Sequence, residues 1–349
     1  HMADENDKRT IYMVDMHEPL MFLHNLDTTI KEPFASNPAV LDAVEKNHKK
    51  LQIAMTKLYP GNLVLSLSSG IMYHRLVDRI TALNDVPREP LVPRRLGKNM
   101  CVPFGKILRG KVVPNTVTKT LHTDKVYEPD LNSFTIEPFP YYSPLKSQIE
   151  TIKSFDRPVI LVDDLVHTAN RLQVLVPQLR EDGIPIKKVV VGVLSGYGRD
   201  LMQCLKVPVE SIYSMPNLRQ WFVESTLYPF IGGDTVRREE MKVAGLQPSI
   251  NMILPYATPR LSGCSREALV EFSACCIENS RDLFQVLEAE YRKMYAKNLT
   301  LSRLSEAVIL PLCPDKGSCM EYDENLAASV YLENDLETLW RMKEFLIKG

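Results

Sequence analysis

The sequence predicts an α/β fold, in which helices cover both faces of a parallel β-sheet and helical additions lie at both ends of the chain. Two strand–turn–helix units, beginning at Leu63 and at Pro158, are the first indication of this fold. The second is the apolar run VVVGVL within Lys188–Leu194, which is typical of a parallel strand covered on both faces. A strand, a helix and another strand in this succession form a right-handed crossover in a parallel sheet.

The first helix is predicted over residues 38–58. Asn37-Pro38 provides a start signal, apolar residues follow at roughly helical spacing, and Pro60-Gly61 ends the pattern. A short apolar strand at 63–67 then leads through the turn Ser68-Ser69-Gly70 into a second helix.

The second strand–turn–helix unit lies in the middle of the chain. Val159–Val162 is predicted as a buried strand, and the next helix is expected from about Thr168 to Glu181, where Asp182-Gly183 ends it. Residues 206–213 are expected to add a further strand.

Three consecutive segments are predicted along the chain. Residues 1–59 form an N-terminal helical addition and residues 60–234 form the α/β domain. Residues 235–349 form a mostly helical C-terminal region, because 264–296 and 323–347 have strongly helical patterns.

Charge and cysteine usage exclude several classes of protein. The 42 basic and 43 acidic side chains give a net charge of −1, which does not support a nucleic-acid or membrane partner. The seven cysteines include no C-x-x-C pair, so neither a disulfide framework nor a zinc site is expected, and the thiols are expected to be free in a reducing cytoplasm. No signal peptide or bilayer-length apolar run is visible, and His1-Met2 resembles the remnant of an expression tag.

The segment Val159–Leu172, VILVDDLVHTANRL, predicts a site for a sugar phosphate. Asp163 and Asp164 are expected at the carboxyl end of a strand, the edge where open α/β sheets bind ligands. The helix that begins near Thr168 offers backbone N–H groups and its positive dipole end to a phosphate. Carboxylates repel a phosphate and suit ribose hydroxyls, or water on a divalent cation. The alternative at this point is a buried strand whose solvated Asp pair caps the next helix.

VILVDDLVHTANRL also resembles the phosphoribosyl-pyrophosphate signature of type I phosphoribosyltransferases. That signature has four apolar residues, two acids, two further apolar residues and a loop that usually reads Thr-Thr-Gly-Gly-Thr. Asp163 and Asp164 match the acids, and Thr168 matches the second loop threonine. The resemblance covers roughly residues 60–215 and implies a phosphoribosyltransferase-like parallel sheet for the domain at 60–234.

The resemblance also implies roles for individual residues. Asp163 and Asp164 would hold the ribose hydroxyls, and Mg²⁺ through water. The loop and helix start that would hold the 5′-phosphate comprise His167, Thr168, Ala169, Asn170 and Arg171. Ser68-Ser69-Gly70 would contact the pyrophosphate, and Gly196 lies in the neighbourhood that often contacts the acceptor base.

A phosphoribosyltransferase reaction breaks the bond between C1 of the ribose and pyrophosphate through an oxocarbenium-like state. Negative charge develops on the departing pyrophosphate, so cations are required to neutralise it. Lys119 and His122 are the side chains expected to assist this departure, in a segment at about 98–135 that would form a flexible hood over the site. The basic side chains available between residues 105 and 127 are Lys106, Arg109, Lys111, Lys119, His122 and Lys125.

The phosphate loop departs from the family pattern and leaves two further hypotheses open. His167, Ala169 and Asn170 replace small residues, and Arg171 replaces a threonine. A non-catalytic ribose-phosphate or nucleotide-binding module, used for sensing or scaffolding, is therefore the alternative to a Mg²⁺-dependent transferase. Hydrolysis or phosphorolysis of a nucleotide in the same pocket is the third hypothesis.

A second and weaker resemblance concerns Pro114–Lys125 and Trp221–Asp234. These stretches are similar to portions of large bacterial proteins that also carry a cytidylyltransferase-like domain, which implies that the chain is a module of such a protein. The early His-x-Gly-His motif of nucleotidyltransferases is absent, so the chain alone is not expected to transfer a cytidylyl group. The expected partner is a small-molecule sugar phosphate or nucleotide, and a homodimer is implied because type I relatives are commonly dimers.

Overall fold

The computed structural model describes residues 12–13, 18–240, 242–316 and 321–348 of the chain. Its strands are β1 (Tyr12–Met13), β2 (Leu20–His24), β3 (Val64–Ser68), β4 (Met100–Pro103), β5 (Thr123–Tyr127), β6 (Phe134–Pro138), β7 (Val159–Val166), β8 (Ile186–Ser195), β9 (Val209–Met215), β10 (Gln220–Val223), β11 (Asp234–Val236), β12 (Gln247–Ile250) and β13 (Leu312–Pro314). Its α-helices are α1 (Pro38–Leu58), α2 (Ser69–Leu83), α3 (Leu145–Ser154), α4 (Asn170–Glu181), α5 (Gly196–Leu205), α6 (Glu224–Leu227), α7 (Arg266–Tyr295) and α8 (Ala328–Lys348).

The chain forms two compact units that interleave along the sequence. The first unit comprises the described residues of His1–Pro19, Ser68–Lys125 and Ile136–Arg219, and the second comprises those of Leu20–Leu67, Val126–Thr135 and Gln220–Gly349. The sequence predicts three consecutive segments instead, with boundaries after residues 59 and 234. Packing explains the difference, because α1 lies against α7 and so joins the unit of the C-terminal helices.

The first unit contains a five-stranded parallel sheet in the order β1-β9-β8-β7-β4. Helix α4 connects β7 to β8, and α5 connects β8 to β9, as expected for parallel neighbours. Val191 of β8 packs in an apolar cluster with residues of α3, α4 and α5. The next residue, Gly192, faces α2, since a Cβ there would overlap Met72. Because alternate residues point to opposite faces, helices cover both faces of this sheet, and the predicted α/β class is confirmed.

The motif strand is longer than predicted, and the helix after it begins later. β7 continues beyond Val162 to Val166, because β8 remains paired beside it as far as Leu194. Helix α4 begins at Asn170, two residues after the expected start, and ends at Glu181. The further strand expected within 206–213 is present as β9.

The second unit holds three long helices and a smaller parallel pair of strands. Helix α7 packs against both α1 and α8. It begins where Ser265 Oγ accepts a hydrogen bond from the Ala268 amide, and it ends where Ala296 adopts a left-handed conformation. Strand β2, in the segment predicted as a helical addition, is buried over Leu20–Leu23 and pairs in parallel with β10. A further five-stranded sheet has the order β13-β12-β11-β5-β6.

The strand before Ser68-Ser69-Gly70 does not join the sheet that holds β7. Its neighbour is β2, in a three-stranded sheet with the order β10-β2-β3. The amide of Leu20 donates to the carbonyl of Leu63 at 2.8 Å at the start of this pairing. An apolar strand does not indicate which neighbour it pairs with, so this placement depends on the tertiary structure. In the described part of the chain, no helix combines the length and apolarity needed to cross a membrane.

Candidate functional site

The loop after β4 places Gly105 against the first acidic residue of the motif. β4 ends at Pro103, which pairs with Val162, so Asp163 lies just beyond the paired part of β4. The Oδ1 atom of Asp163 accepts a hydrogen bond from the amide of Asp164 at 2.7 Å. A Cβ atom at position 105 would overlap this carboxylate, so the close approach of the loop requires glycine.

Asp163 is almost completely enclosed, with 8% of its surface exposed. Burial raises the pKa of this carboxyl group well above its usual range, and the neighbouring Asp164 raises it further. Arg171, in the first turn of α4, acts in the opposite direction. Two adjacent carboxylates that repel each other in this way favour a shared proton or a nearby cation.

Two arginines provide the cationic side of the site. Burial lowers the pKa of Arg109, and the charge of Arg171 lowers it further, whereas Asp124 and Asp163 oppose the shift. The guanidinium of Arg109 lies 4.4 Å from the centre of the Phe139 ring, within the range of a cation–π interaction. The Nε atoms of Arg109 and Arg171 are both buried without a hydrogen-bond partner among the described residues. Because a buried N–H donor is costly when it lacks an acceptor, this arrangement is suited to an anionic ligand.

His122 lies beside Arg109. Its amide donates to Gln148 Oε1 at 2.8 Å, and its ring stacks on Tyr142 with 4.0 Å between ring centres. Burial lowers the pKa of His122, and the positive charges of Arg109 and Lys119 lower it further. The imidazole is therefore neutral at neutral pH in this environment.

The segment expected to be a flexible hood is hydrogen-bonded to β4 over part of its length. The Lys119 amide donates to the Cys101 carbonyl at 3.0 Å, and the Leu121 amide donates to the Pro103 carbonyl at 2.9 Å. Lys119 and His122 are thereby carried along the edge of the five-stranded sheet. Their assistance to a leaving group stays a prediction.

The loop between β7 and α4 contains His167 and Ala169. His167 Nδ1 lies 2.6 Å from Ser195 Oγ, which also accepts the amide hydrogen of Gly198 at 2.9 Å. Burial lowers the pKa of His167. Ala169 adopts a left-handed conformation with φ of 51°, the backbone geometry that favours glycine. The family usually has a small residue such as glycine here, whereas this chain has Ala169, which is strained in the left-handed conformation.

Helix α4 begins without a side-chain cap, because Ala169 is the N-cap residue and makes no cap hydrogen bond. Asn170 and Arg171 are the first two helical residues, and Thr168 is exposed just before them. The N-cap side chain therefore accepts no hydrogen bond from the backbone N–H groups of the first turn, and their binding to a phosphate stays a prediction.

Glycines after β8 allow the backbone to pack closely. The Gly196 amide donates to the Pro216 carbonyl at 3.2 Å, and a Cβ atom at position 198 would overlap the Val166 carbonyl. Ser69 and Gly70 lie in the first turn of α2, which packs against β8. The expected contacts of Gly196 with a base, and of Ser68-Ser69-Gly70 with pyrophosphate, stay predictions.

Several residues of the cluster were not singled out from the sequence. Phe139, Tyr142 and Gln148 follow a proline-rich stretch with no recognisable motif, and tertiary contacts alone bring them to His122 and Arg109. Gly105 could have been found, because it follows the apolar run at 100–104 and parallel strands end at the same edge of a sheet.

A separate cavity of about 680 Å³ lies in the second unit. Its lining includes Glu128, Arg238 and Asp315, and none of the residues predicted for the sugar-phosphate site. Arg238 forms an ion pair with Asp315. The cavity is therefore distinct in composition from the cluster around Asp163.

Comparison with known proteins finds similarity among solved structures. No protein-family model matches the chain, and no curated protein matches it. The chain is similar to a purine phosphoribosyltransferase from Pyrococcus horikoshii at 14% sequence identity and a TM-score of 0.25, over 44% of this chain and 87% of that one. A similarity this distant carries no argument about the site, so any functional conclusion depends on the residues themselves.

Proposed function

We propose that the first unit binds a phosphorylated ribose and acts as a phosphoribosyltransferase-like transferase on phosphoribosyl pyrophosphate or a related sugar phosphate. The observation that carries this proposal is that one cluster contains both an acidic pair and, among the described residues, two partly unpaired arginine side chains. Asp163 supplies a buried carboxylate, while Arg109 and Arg171 each have a buried Nε atom without a partner among the described residues. A ligand that carries both hydroxyl groups and phosphate groups matches this arrangement.

In this proposal, the carboxylates and the start of α4 bind different parts of the ligand. Asp163 and Asp164 accept hydrogen bonds from the ribose hydroxyls, because a carboxylate repels phosphate and attracts hydroxyl donors. The 5′-phosphate binds at the uncapped start of α4, where Thr168 and the first-turn N–H groups are supplemented by Arg171.

Mg²⁺ fits the donor set of the acidic pair. Hard carboxylate oxygens, acting through water, are the ligands that this ion prefers. Burial is the main cause of the raised pKa of Asp163, and a cation relieves the repulsion from Asp164 that adds to it. When bound through Asp163 and Asp164, Mg²⁺ supplies charge neutralisation for the pyrophosphate group.

The cationic cluster acts on the leaving group. Arg109 is held against Phe139, within range of a charge interaction with Asp163. In this proposal Arg109 and Lys119 stabilise the charge that develops on pyrophosphate. His122 is neutral at neutral pH and donates or accepts a hydrogen bond there rather than a full charge.

A non-catalytic binding module is the second candidate, and one observation favours it. His167 occupies the phosphate loop and is hydrogen-bonded to Ser195, while Ala169 takes the left-handed position. This loop differs from a glycine-rich phosphate cradle but retains the acidic pair. Binding without turnover is the expected behaviour of such a module.

Calorimetric titration of phosphoribosyl pyrophosphate with Mg²⁺ tests the binding site. Arg171→Gln should weaken binding about 10–100-fold, because it removes charge-assisted hydrogen bonds of about 1.5–3 kcal/mol. Arg180→Gln is the matched control, since Arg180 lies in the last turn of the same helix and donates to the carbonyls of Leu205 and Lys206. Absence of binding by the unmodified chain, or equal effects of the two substitutions, would contradict the proposal.

Pyrophosphate release across a panel of purine and pyrimidine bases tests turnover. Asp164→Asn should abolish release, and Asp200→Asn, an exposed aspartate of α5, should retain it. Tight binding with no release for any base would replace the transferase by the binding module. Free base released from nucleoside monophosphates would indicate hydrolysis or phosphorolysis in the same pocket.

A further inference from the structure

Three side chains that could ligate a metal converge in the second unit. One ligand atom from each of His24, His48 and Glu224 lies within 4.8 Å of the others, the one such group among the described residues. His24 Nδ1 lies 2.7 Å from Glu224 Oε2, and His48 Nδ1 lies 3.4 Å from the same oxygen. None of these residues belongs to the sugar-phosphate site of the first unit.

The fold brings the three together at one edge of the β10-β2-β3 sheet. Strands β2 and β10 are parallel, with Leu23 paired to Val223. His24 is the last residue of β2 and Glu224 is the first residue of α6, directly after β10, so both lie at the carboxyl end of the pair, the usual ligand-binding edge of a parallel sheet. Helix α1 contributes His48 to the same point.

Glu224 is completely buried and is held on both sides. Its Oε1 atom accepts a hydrogen bond from the Tyr228 hydroxyl at 3.2 Å, and that hydroxyl in turn accepts one from Asn279 at 2.9 Å. A carboxylate that is buried to this degree requires a compensating positive charge or several hydrogen bonds.

The two imidazole rings are stacked, with 3.7 Å between their centres and an angle of 30° between their planes. Both Nδ1 atoms are directed at the same carboxylate oxygen, Glu224 Oε2. A single divalent cation among these three atoms would have both rings and the carboxylate as ligands.

We propose that His24, His48 and Glu224 bind one divalent transition-metal ion, for which Zn²⁺ is the best chemical match. Two imidazole nitrogens and one carboxylate oxygen form a known ligand set of zinc sites, and the three leave a fourth tetrahedral position to water. The absence of C-x-x-C pairs does not bear on this site, because its ligands are histidine and glutamate.

Hydrogen bonds that other residues make to the proposed ligands support the same assignment. The other ring nitrogen of His48, Nε2, lies 3.1 Å from Ser66 Oγ. Tyr228 binds the second oxygen of Glu224. Metal-binding histidines and carboxylates are usually oriented by hydrogen bonds of this kind, so two of the three ligands already have their supporting partners.

The experiment is a metal titration of the full chain after removal of bound metal with a chelator. Inductively coupled plasma mass spectrometry should find one equivalent of Zn²⁺ retained after gel filtration, and Zn²⁺ should raise the melting temperature. Co²⁺ substitution should give visible bands without a thiolate charge-transfer band, which separates this site from adventitious binding by cysteines.

Variants assign the ion to these residues. His24→Gln, at a side chain 25% exposed, should keep the circular dichroism spectrum and lose both the bound equivalent and the thermal shift. Ser66→Ala, which removes only an outer contact, should weaken Zn²⁺ binding about 10–100-fold. His74→Asn is the matched control, because His74 lies on α2 and contacts Arg88 and Tyr73 instead.

Loss of metal in His24→Gln with full retention in His74→Asn supports the site. Retention of one Zn²⁺ by a folded His24→Gln chain would overturn it. So would the absence of any bound equivalent in the unmodified chain, which would leave His24, His48 and Glu224 as a hydrogen-bonded group only. Neither outcome depends on phosphoribosyl pyrophosphate binding.

Discussion

Substitution of Gly105 by alanine tests whether the Asp163 carboxylate is packed against the loop after β4. A methyl group at this position overlaps Asp163 Oδ1, so the carboxylate must move by about 1.5 Å to regain an ordinary contact. That displacement breaks its 2.7 Å hydrogen bond with the Asp164 amide. The lost hydrogen bond contributes about 0.5–1.5 kcal/mol and the overpacking about 1–3 kcal/mol. Because relaxation relieves part of both, we expect a destabilisation of about 1–4 kcal/mol.

Urea unfolding followed by far-ultraviolet circular dichroism measures this cost. Gly70→Ala is the control, because its Cβ would lie 3.6 Å from Ser68 Oγ, an ordinary contact, and should change stability by less than about 1 kcal/mol. Repeating Gly105→Ala in an Asp163→Ala background should reduce the cost to under about 1 kcal/mol. An equal cost with and without the Asp163 carboxylate would refute the reasoning.

Three further predictions concern the same edge of the sheet. Because the folded-state pKa of Asp163 is raised, the folded chain holds a proton that the unfolded chain has released, and stability falls as pH rises from about 4 through that pKa. Asp163→Asn should therefore be more stable than the unmodified chain at neutral pH and should flatten this slope in urea titrations; a less stable variant at pH 7 would contradict the assignment. Burial lowers the pKa of His167, so the unfolded chain binds a proton at higher pH than the folded chain does, and stability falls as pH drops below about 6.5. His167→Gln should remove this loss of stability in thermal melts recorded over a pH series. An unchanged dependence on pH would contradict the prediction. Gly198→Ala should cost about 1–3 kcal/mol, because its methyl group meets the Val166 carbonyl, and a melting temperature equal to that of the unmodified chain would show that the loop is not close-packed.

The contrast between the two candidate sites shows how much local sequence can indicate. Asp163 and Asp164 lie within one continuous motif, and adjacency along the chain places them at the end of one strand. His24, His48 and Glu224 are spread over 200 residues, and no spacing rule joins them. Only the parallel register of β2 with β10, and the packing of α1, bring them to one point.

The sequence by itself determined the α/β class, the run of strand and helix around β7 and β8, and the identity of the acidic pair. These features depend on apolar periodicity, on helix start and stop signals and on residues that are neighbours in the chain. The end of β7 at Val166 and the start of α4 at Asn170 differ from the predicted limits, because pairing with β8 extends the strand.

Tertiary structure decided which strands became neighbours and which distant side chains met. β3 pairs with β2 instead of the sheet of β7, and helix α1 packs with α7 instead of forming a separate addition. Arg109, which lies after β4, comes within range of a charge interaction with Asp163, and Arg109 is part of the cationic half of the site. Local pattern carries no information about such pairings, since burial of an apolar face is satisfied by many partners and only the packed chain selects one.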